Sequence, residues 1–140
     1  MRVTNRITFL GEIPREIDFE AKTTPFVQED GRPDFVMDDS AVVVTEGDGI
    51  VVISGCAHAG ICNTIAHARR VTGKARMKAV VGGFHLGDDA ALVRRTVQYF
   101  RDNNIERVLP CHCTGALGIR SIQEAGYTDR VYSGASIEIT

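Results

Sequence analysis

Residues 51–58, VVISGCAH, residues 79–85, AVVGGFH, and residues 107–112, RVLPCH, are three apolar runs that each end on a histidine. What lies between them decides the fold. A chain that returns to the same edge of a parallel sheet needs a crossover of a dozen or more residues, usually a helix. From Gly60 to Thr72 the sequence reads GICNTIAHARRVT, with Ile61, Ile65, Ala68 and Val71 at helical spacing and Gly73 placed as a stop. From Asp88 to Asn104 it reads DDAALVRRTVQYFRDNN, with an apolar stripe of Leu92, Val93, Val97 and Phe100 behind an acidic first turn. A shorter helix is expected over Ala116–Glu124 and a final strand over Tyr127–Ile139. The pattern is an α/β chain in which His58, His85 and His112 close parallel strands and gather at one edge, where open α/β sheets bind ligands.

The first forty residues read differently. Alternation over Arg6–Ile13 suggests one strand, and Ala41–Thr45 and Gly49–Ser54 flank an EGDG turn as a β-hairpin. Between them, Pro14–Asp39 is long and polar, with Gly31, Pro25 and Pro33 and little periodicity. A loop of that length in a compact domain is functional, covered by another element, or waiting for a partner.

A length of 140 residues suits a single domain, 1–140, with one core. Apolar residues make up 44% and charged residues 24%, as in ordinary globular proteins, and 16 basic against 18 acidic residues give no field that would steer nucleic acid or an anionic membrane. No apolar run approaches the ~20 residues of a membrane helix, and no signal-peptide pattern opens the chain. Neither nucleic acid nor membrane is expected as a partner, and the expected location is the cytoplasm.

Four cysteines, Cys56, Cys62, Cys111 and Cys113, are expected as free thiols, because nothing marks a small secreted disulfide scaffold. If the strand stays extended through His112, alternation sends the flanking Cys111 and Cys113 to the opposite face, away from any metal held by His112. Cys56, two residues before His58, shares that histidine's side. His67, in mid-helix, reads as a satisfied polar residue. The other three histidines stand at equivalent topological positions beside small residues, Gly55 and Gly60, Gly82 and Gly83, and Gly115, and packing does not account for that repetition. His58, His85 and His112 are therefore the expected metal ligands. Imidazole suits zinc, iron, copper or nickel; zinc is the first choice of divalent ion, with iron or manganese as alternatives. Asp18, Glu20, Asp38, Asp39, Asp88 and Asp89 are nearby carboxylates that read first as solvated acids or helix-start residues.

Five blocks, GEIPR with DFE (Gly11–Glu20), DDSAVVV (Asp38–Val44), GCAHAGICNT (Gly55–Thr64), GGFHL (Gly82–Leu86) and PCHCTG (Pro110–Gly115), together resemble the metallo-β-lactamase superfamily. The branch most similar is the one labelled dihydropterin ribofuranosylaminobenzene-phosphate synthase-like, or metal-dependent hydrolase. The resemblance covers about Leu10 to Ile139 and implies half of an αββα sandwich, the C-terminal half, a mostly parallel sheet with crossover helices plus an N-terminal hairpin. It also implies strand ends that hold one or two ions which activate water, with His112 matching the late superfamily histidine. The HxHxDH signature of the family occurs nowhere in this sequence. The expected function is accordingly half of a metal-dependent hydrolase of unreadable small-molecule substrate. It would be completed by a chain carrying the missing N-terminal half or by a missing segment of a longer chain, or its open sheet face would be covered in a homo-oligomer. The alternative is a noncatalytic metal-binding or oligomerisation module that keeps only the fold.

Overall fold

The computed structural model describes residues 1–129 and 131–139. Eight elements follow in order: β1 (Ile7–Phe9), β2 (Ala41–Glu46), β3 (Gly49–Ser54), α1 (Ile61–Thr72), β4 (Arg76–Gly82), α2 (Ala90–Asp102), β5 (Val108–Pro110) and α3 (Ala116–Glu124). The strands form one five-stranded sheet in the order β1-β2-β3-β4-β5. The hairpin part is antiparallel, with Glu46 opposite Gly49 across the tight turn. The crossover part, β3-β4-β5, is parallel, so the ends of these three strands share an edge as the spacing implied.

Each crossover helix is delimited by local chemistry. Gly73 takes the left-handed conformation at φ 68° and returns its N–H to Arg69 O, which ends α1. Asp89 caps α2 by accepting the N–H groups of Ala91 and Leu92 on its carboxylate, at 2.9 and 3.0 Å. Ile61, Ile65 and Ala68 of α1, Val93, Val97 and Phe100 of α2 and Ile122 of α3 are buried in one apolar cluster with Val43, Ile50, Val52, Met77, Val80 and Val108 of the sheet. All three helices thus bury their stripes against the same sheet face.

The other face carries Val51, Ala79 and Leu109, with Val44 and Val81 beside them. It is covered in part by Val131, Ile137 and Ile139 of the C-terminal stretch. Toward β1 it lies open, where Ile53 is 45% and Phe9 39% exposed. The final strand expected over Tyr127–Ile139 does not form among the described residues, and Arg130 within it lies outside them. Its apolar residues still pack on the sheet, and Arg107 ties the stretch down by donating to the Asp129 carboxylate at 2.7 and 2.9 Å and to Glu138 O at 2.7 Å. Alternating side chains make a segment competent for a strand, but ladder partners make the strand.

Candidate metal centre

The edge at the ends of β3, β4 and β5 is built around a gap. Sheet hydrogen bonding runs past the strands here, with Gly83 N–H donating to Gly55 O at 2.8 Å and Cys111 N–H to Gly82 O at 2.7 Å. β3 and β5 are not neighbours, so roughly 9–10 Å separates them across β4. β4 ends on Gly82 and Gly83, which have no side chains to fill that span. A Cβ on Gly83 would stand 2.8 Å from His112 Nε2 and 2.9 Å from Gly55 O, and would run into Cys113 Sγ. The two glycines let side chains from the β3 and β5 loops meet over the end of the central strand.

Those side chains are Cys56, His112 and Cys113. Cys56 Sγ lies 3.1 Å from His112 Nε2, and the donor atoms of the three residues all fall within 4.8 Å of one another. The expectation that Cys113 would point away from His112 is corrected here. β5 stops at Pro110, the chain turns over residues 112–113, and alternation no longer applies. Cys111 does lie apart, its thiol directed at Leu109 O at 3.6 Å. Cys62 is buried among the core residues, as a small apolar side chain would be. All four cysteines are free. Burial pushes the Cys113 thiol up to about 11 and raises Cys111 as well.

His58 and His85 form a second group, with ring centroids 4.4 Å apart. Phe26, from the long Pro14–Asp39 loop, stands edge-on to His58 at 5.3 Å and tilted to His85 at 6.3 Å. Burial, then the neighbouring His58, pushes His85 below the ordinary imidazole value, against an opposing pull from Asp39. The two groups are joined through the backbone, because His85 N–H donates to Cys113 Sγ at 3.3 Å. His85 and its neighbour in role Ala57 both hold left-handed backbone, at φ 48° and 53°. For residues with a Cβ this costs roughly 1–2 kcal/mol each, and such strain clusters at functional loops. His67 stays outside, its Nε2 3.3 Å from Leu10 O while its buried Nδ1 meets no partner, so the expectation of a fully satisfied helix residue holds for one ring nitrogen only.

Two of the carboxylates depart from the expected solvated or helix-start roles and serve instead as buried or loop-fixing acceptors. Glu20, 3% exposed, accepts the N–H groups of Cys62 and Asn63 at 2.9 and 2.8 Å and caps α1 from a distance. Asp39 accepts Ala59 N–H at 2.9 Å. Asn63 completes the clamp by donating to Ala59 O and accepting Glu16 and Ile17 N–H groups. The long loop therefore fixes the turn that carries His58 from three sides. Asp18 pairs with Arg95 at 2.8 Å, and the Arg95 guanidinium lies 4.3 Å from the centre of the Phe19 ring. A cavity of about 420 Å³ opens beside the histidines, lined by Phe19, Lys22, His58, His85, Asp89 and Arg95 among others.

The donor set fits a transition-metal ion: imidazole nitrogen and thiol sulfur converge where a glycine keeps space clear. Sequence reasoning missed Cys113 and Phe26. No local signal marked Phe26, and the proline before Cys111 was the available sign that the strand would stop.

No family model matches the chain. It is 33% identical over 122 residues to the 7,8-dihydropterin-6-methyl-4-(beta-D-ribofuranosyl)-aminobenzene-5'-phosphate synthase of Methanocaldococcus jannaschii, covering 82% of this chain and 42% of that protein. It is 27% identical over 124 residues to an uncharacterized protein of the same organism, covering 88% of this chain and 46% of that one. Among solved structures, a metal-dependent hydrolase of the beta-lactamase superfamily superposes with a TM-score of 0.85 at 29% identity, over 100% of this chain and 56% of that one. The chain spans about half the length of the curated relatives it matches. In fold and in sequence it is similar to the metallo-β-lactamase superfamily, over about half the length of the members it matches.

Proposed function

We propose that this chain is the C-terminal half of a metal-dependent hydrolase, in which His58, His85 and His112 face a divalent ion, zinc before iron or manganese, at the shared edge of β3, β4 and β5. The observation that carries the reading is the meeting of all three histidine-bearing loops at that edge, linked by the His85 N–H to Cys113 Sγ bond. A bound ion would polarise a carbonyl or phosphoryl oxygen and lower the pKa of its water toward 7. The chain's own residues orient and enclose the site: Glu20, Asp39 and Asn63 fix the His58 turn, and Phe26 shields the imidazole pair. Lys22 and Arg95, on the wall of the adjoining cavity, suit a substrate with an anionic group. Free thiols accord with a reducing cytoplasm.

In this reading the HxHxDH half is supplied by a partner chain or by a further segment of a longer chain, since the signature does not occur within these 140 residues. The open sheet face around Phe9 and Ile53 is where a second sheet, from a partner chain or a second copy, would pack. Mixing the purified chain with a chain bearing the HxHxDH half, in the presence of zinc, should produce hydrolysis of a model phosphoester or ester that a chelator abolishes. Chelator-sensitive turnover by the chain alone would remove the need for the second half. A stable complex without turnover on either ester would overturn the hydrolytic reading. That outcome would favour a noncatalytic metal-binding module, a reading supported by the thiol-rich donors, which are common in structural metal sites.

A further inference from the structure

We propose that Cys56, His112 and Cys113 form a thiophilic cation site of zinc type that this chain completes by itself, sharing His112 with the three-histidine reading but taking neither His58 nor His85 as a donor. The inference does not depend on the hydrolytic reading. Its basis is the crossing of the β4 gap. Cys56 leaves β3, His112 and Cys113 leave β5, and only the Gly82–Gly83 end of β4 lets them touch.

The geometry is close to that of a ligand set. A tetrahedral zinc with sulfur at about 2.3 Å and nitrogen at 2.0–2.1 Å holds its donors roughly 3.4–3.8 Å apart. Here one pair stands at 3.1 Å and all three donors within 4.8 Å. Side-chain rotation by a few tenths of an ångström to about one ångström would bring them to a common ion. Two thiolates and a neutral imidazole would balance the charge of a divalent cation, and thiolate selects zinc and other soft ions over magnesium or calcium. Binding would release both thiol protons to solvent, including the one that Cys113 now directs at Cys56 O at 3.5 Å. The His85 N–H already donates to Cys113 Sγ, a bond that supports a thiolate as well as a thiol. Three protein donors leave one position of a tetrahedral ion for water or a fourth ligand.

Cobalt(II) reports this directly, because thiolate ligation gives a near-ultraviolet charge-transfer absorption that imidazole ligation lacks. The reduced, metal-free full chain titrated with cobalt should bind one equivalent with that absorption. Cys56→Ser and Cys113→Ser should each remove most of it and weaken binding at least about tenfold, with far-ultraviolet circular dichroism unchanged. Cys111→Ser and His58→Ala should leave the absorption intact. If Cys113→Ser fails to fold, Cys56→Ser decides, since Cys56 is only half-buried beyond the end of its strand. No cobalt bound, or cobalt bound without the charge-transfer band, overturns the proposal, as does a band that survives Cys56→Ser. Cobalt held without the band and lost in His58→Ala would refute this site while leaving the hydrolytic reading in place.

Discussion

Replacing Gly83 with alanine should disable the edge of the sheet with a single methyl group. The added carbon would stand 2.8 Å from His112 Nε2 and 2.9 Å from Gly55 O and would overlap Cys113 Sγ. Comfortable contacts of this kind are about 3.5 Å or longer, so His112 has to retreat by roughly 0.7 Å and Cys113 by more. Gly55 O cannot retreat freely, because it accepts the Gly83 N–H that keeps the β3 and β4 loops in register. Overpacking of this size costs about 1–3 kcal/mol, which for a chain of this length lowers the melting temperature by about 4–12 °C. Ligand placement tolerates about 0.5 Å, so metal affinity should drop together with stability. Thermal melts and cobalt titration of Gly83→Ala measure both. The reasoning also requires coupling. In a Cys113→Ala background, where the sulfur is gone but His112 and Gly55 O remain, Gly83→Ala should cost less, a difference that a double-mutant cycle resolves. An unchanged melting temperature and unchanged cobalt binding would refute the cradle, and an equal cost in both backgrounds would refute the collision with Cys113.

Burial raises the Glu20 carboxyl above its ordinary 4.5, against the N–H bonds from Cys62 and Asn63 that pull the other way. Its contribution to stability is therefore full below the ordinary 4.5 and is lost as pH rises above 4.5 through the raised folded-state value. Glu20→Gln should therefore be less stable at acidic pH by about 1 kcal/mol, for one N–H bond lost, and the gap should narrow as pH rises; parallel urea midpoints from acidic to neutral pH would contradict this. Val52 and Ile53 adjoin on β3 but are 0% and 45% exposed. Val52→Asp should abolish folding, since an unpaired buried charge costs far more than the fold can spare, while Ile53→Lys should leave circular dichroism and melting nearly unchanged and weaken association with any second sheet; sedimentation of the two variants tests the assignment of faces. Arg107→Ala should release residues 131–139 from the sheet, at a cost of about 1 kcal/mol, and hydrogen exchange that stays slow there would show that the apolar contacts alone hold the segment.

Much of the edge was legible before any coordinates. Helical spacing between Ile61 and Ala68 and the stripe around Val97 and Phe100 announce crossovers, and crossovers oblige β3, β4 and β5 to run parallel, so three terminal histidines must share a rim. The hairpin was equally readable from Glu46–Gly49, because a tight turn between alternating runs has few other solutions. Asp89 as a helix cap and His67 as a bland helix residue followed from position along their elements.

What escaped the reading depended on contacts across long sequence distances. Alternation placed Cys113 opposite His112, but it holds only while the backbone remains extended, and the chain turns after Pro110. The expected strand after Tyr127 has the right pattern and no partner strand among the described residues. Glu20 at the start of α1, 42 residues away in sequence, and Phe26 against two histidines are decided by how the long loop drapes over the edge. Periodicity is a property of neighbours along the chain, and so the amino-acid order alone settled the crossover helices, the direction of the strands they join and the shared rim. Which donors meet on that rim, Cys56 with His112 and Cys113 on one side and His58 with His85 on the other, was settled by folding, through turns and a glycine gap that bring together residues far apart along the chain, 56 positions in the case of Cys56 and His112.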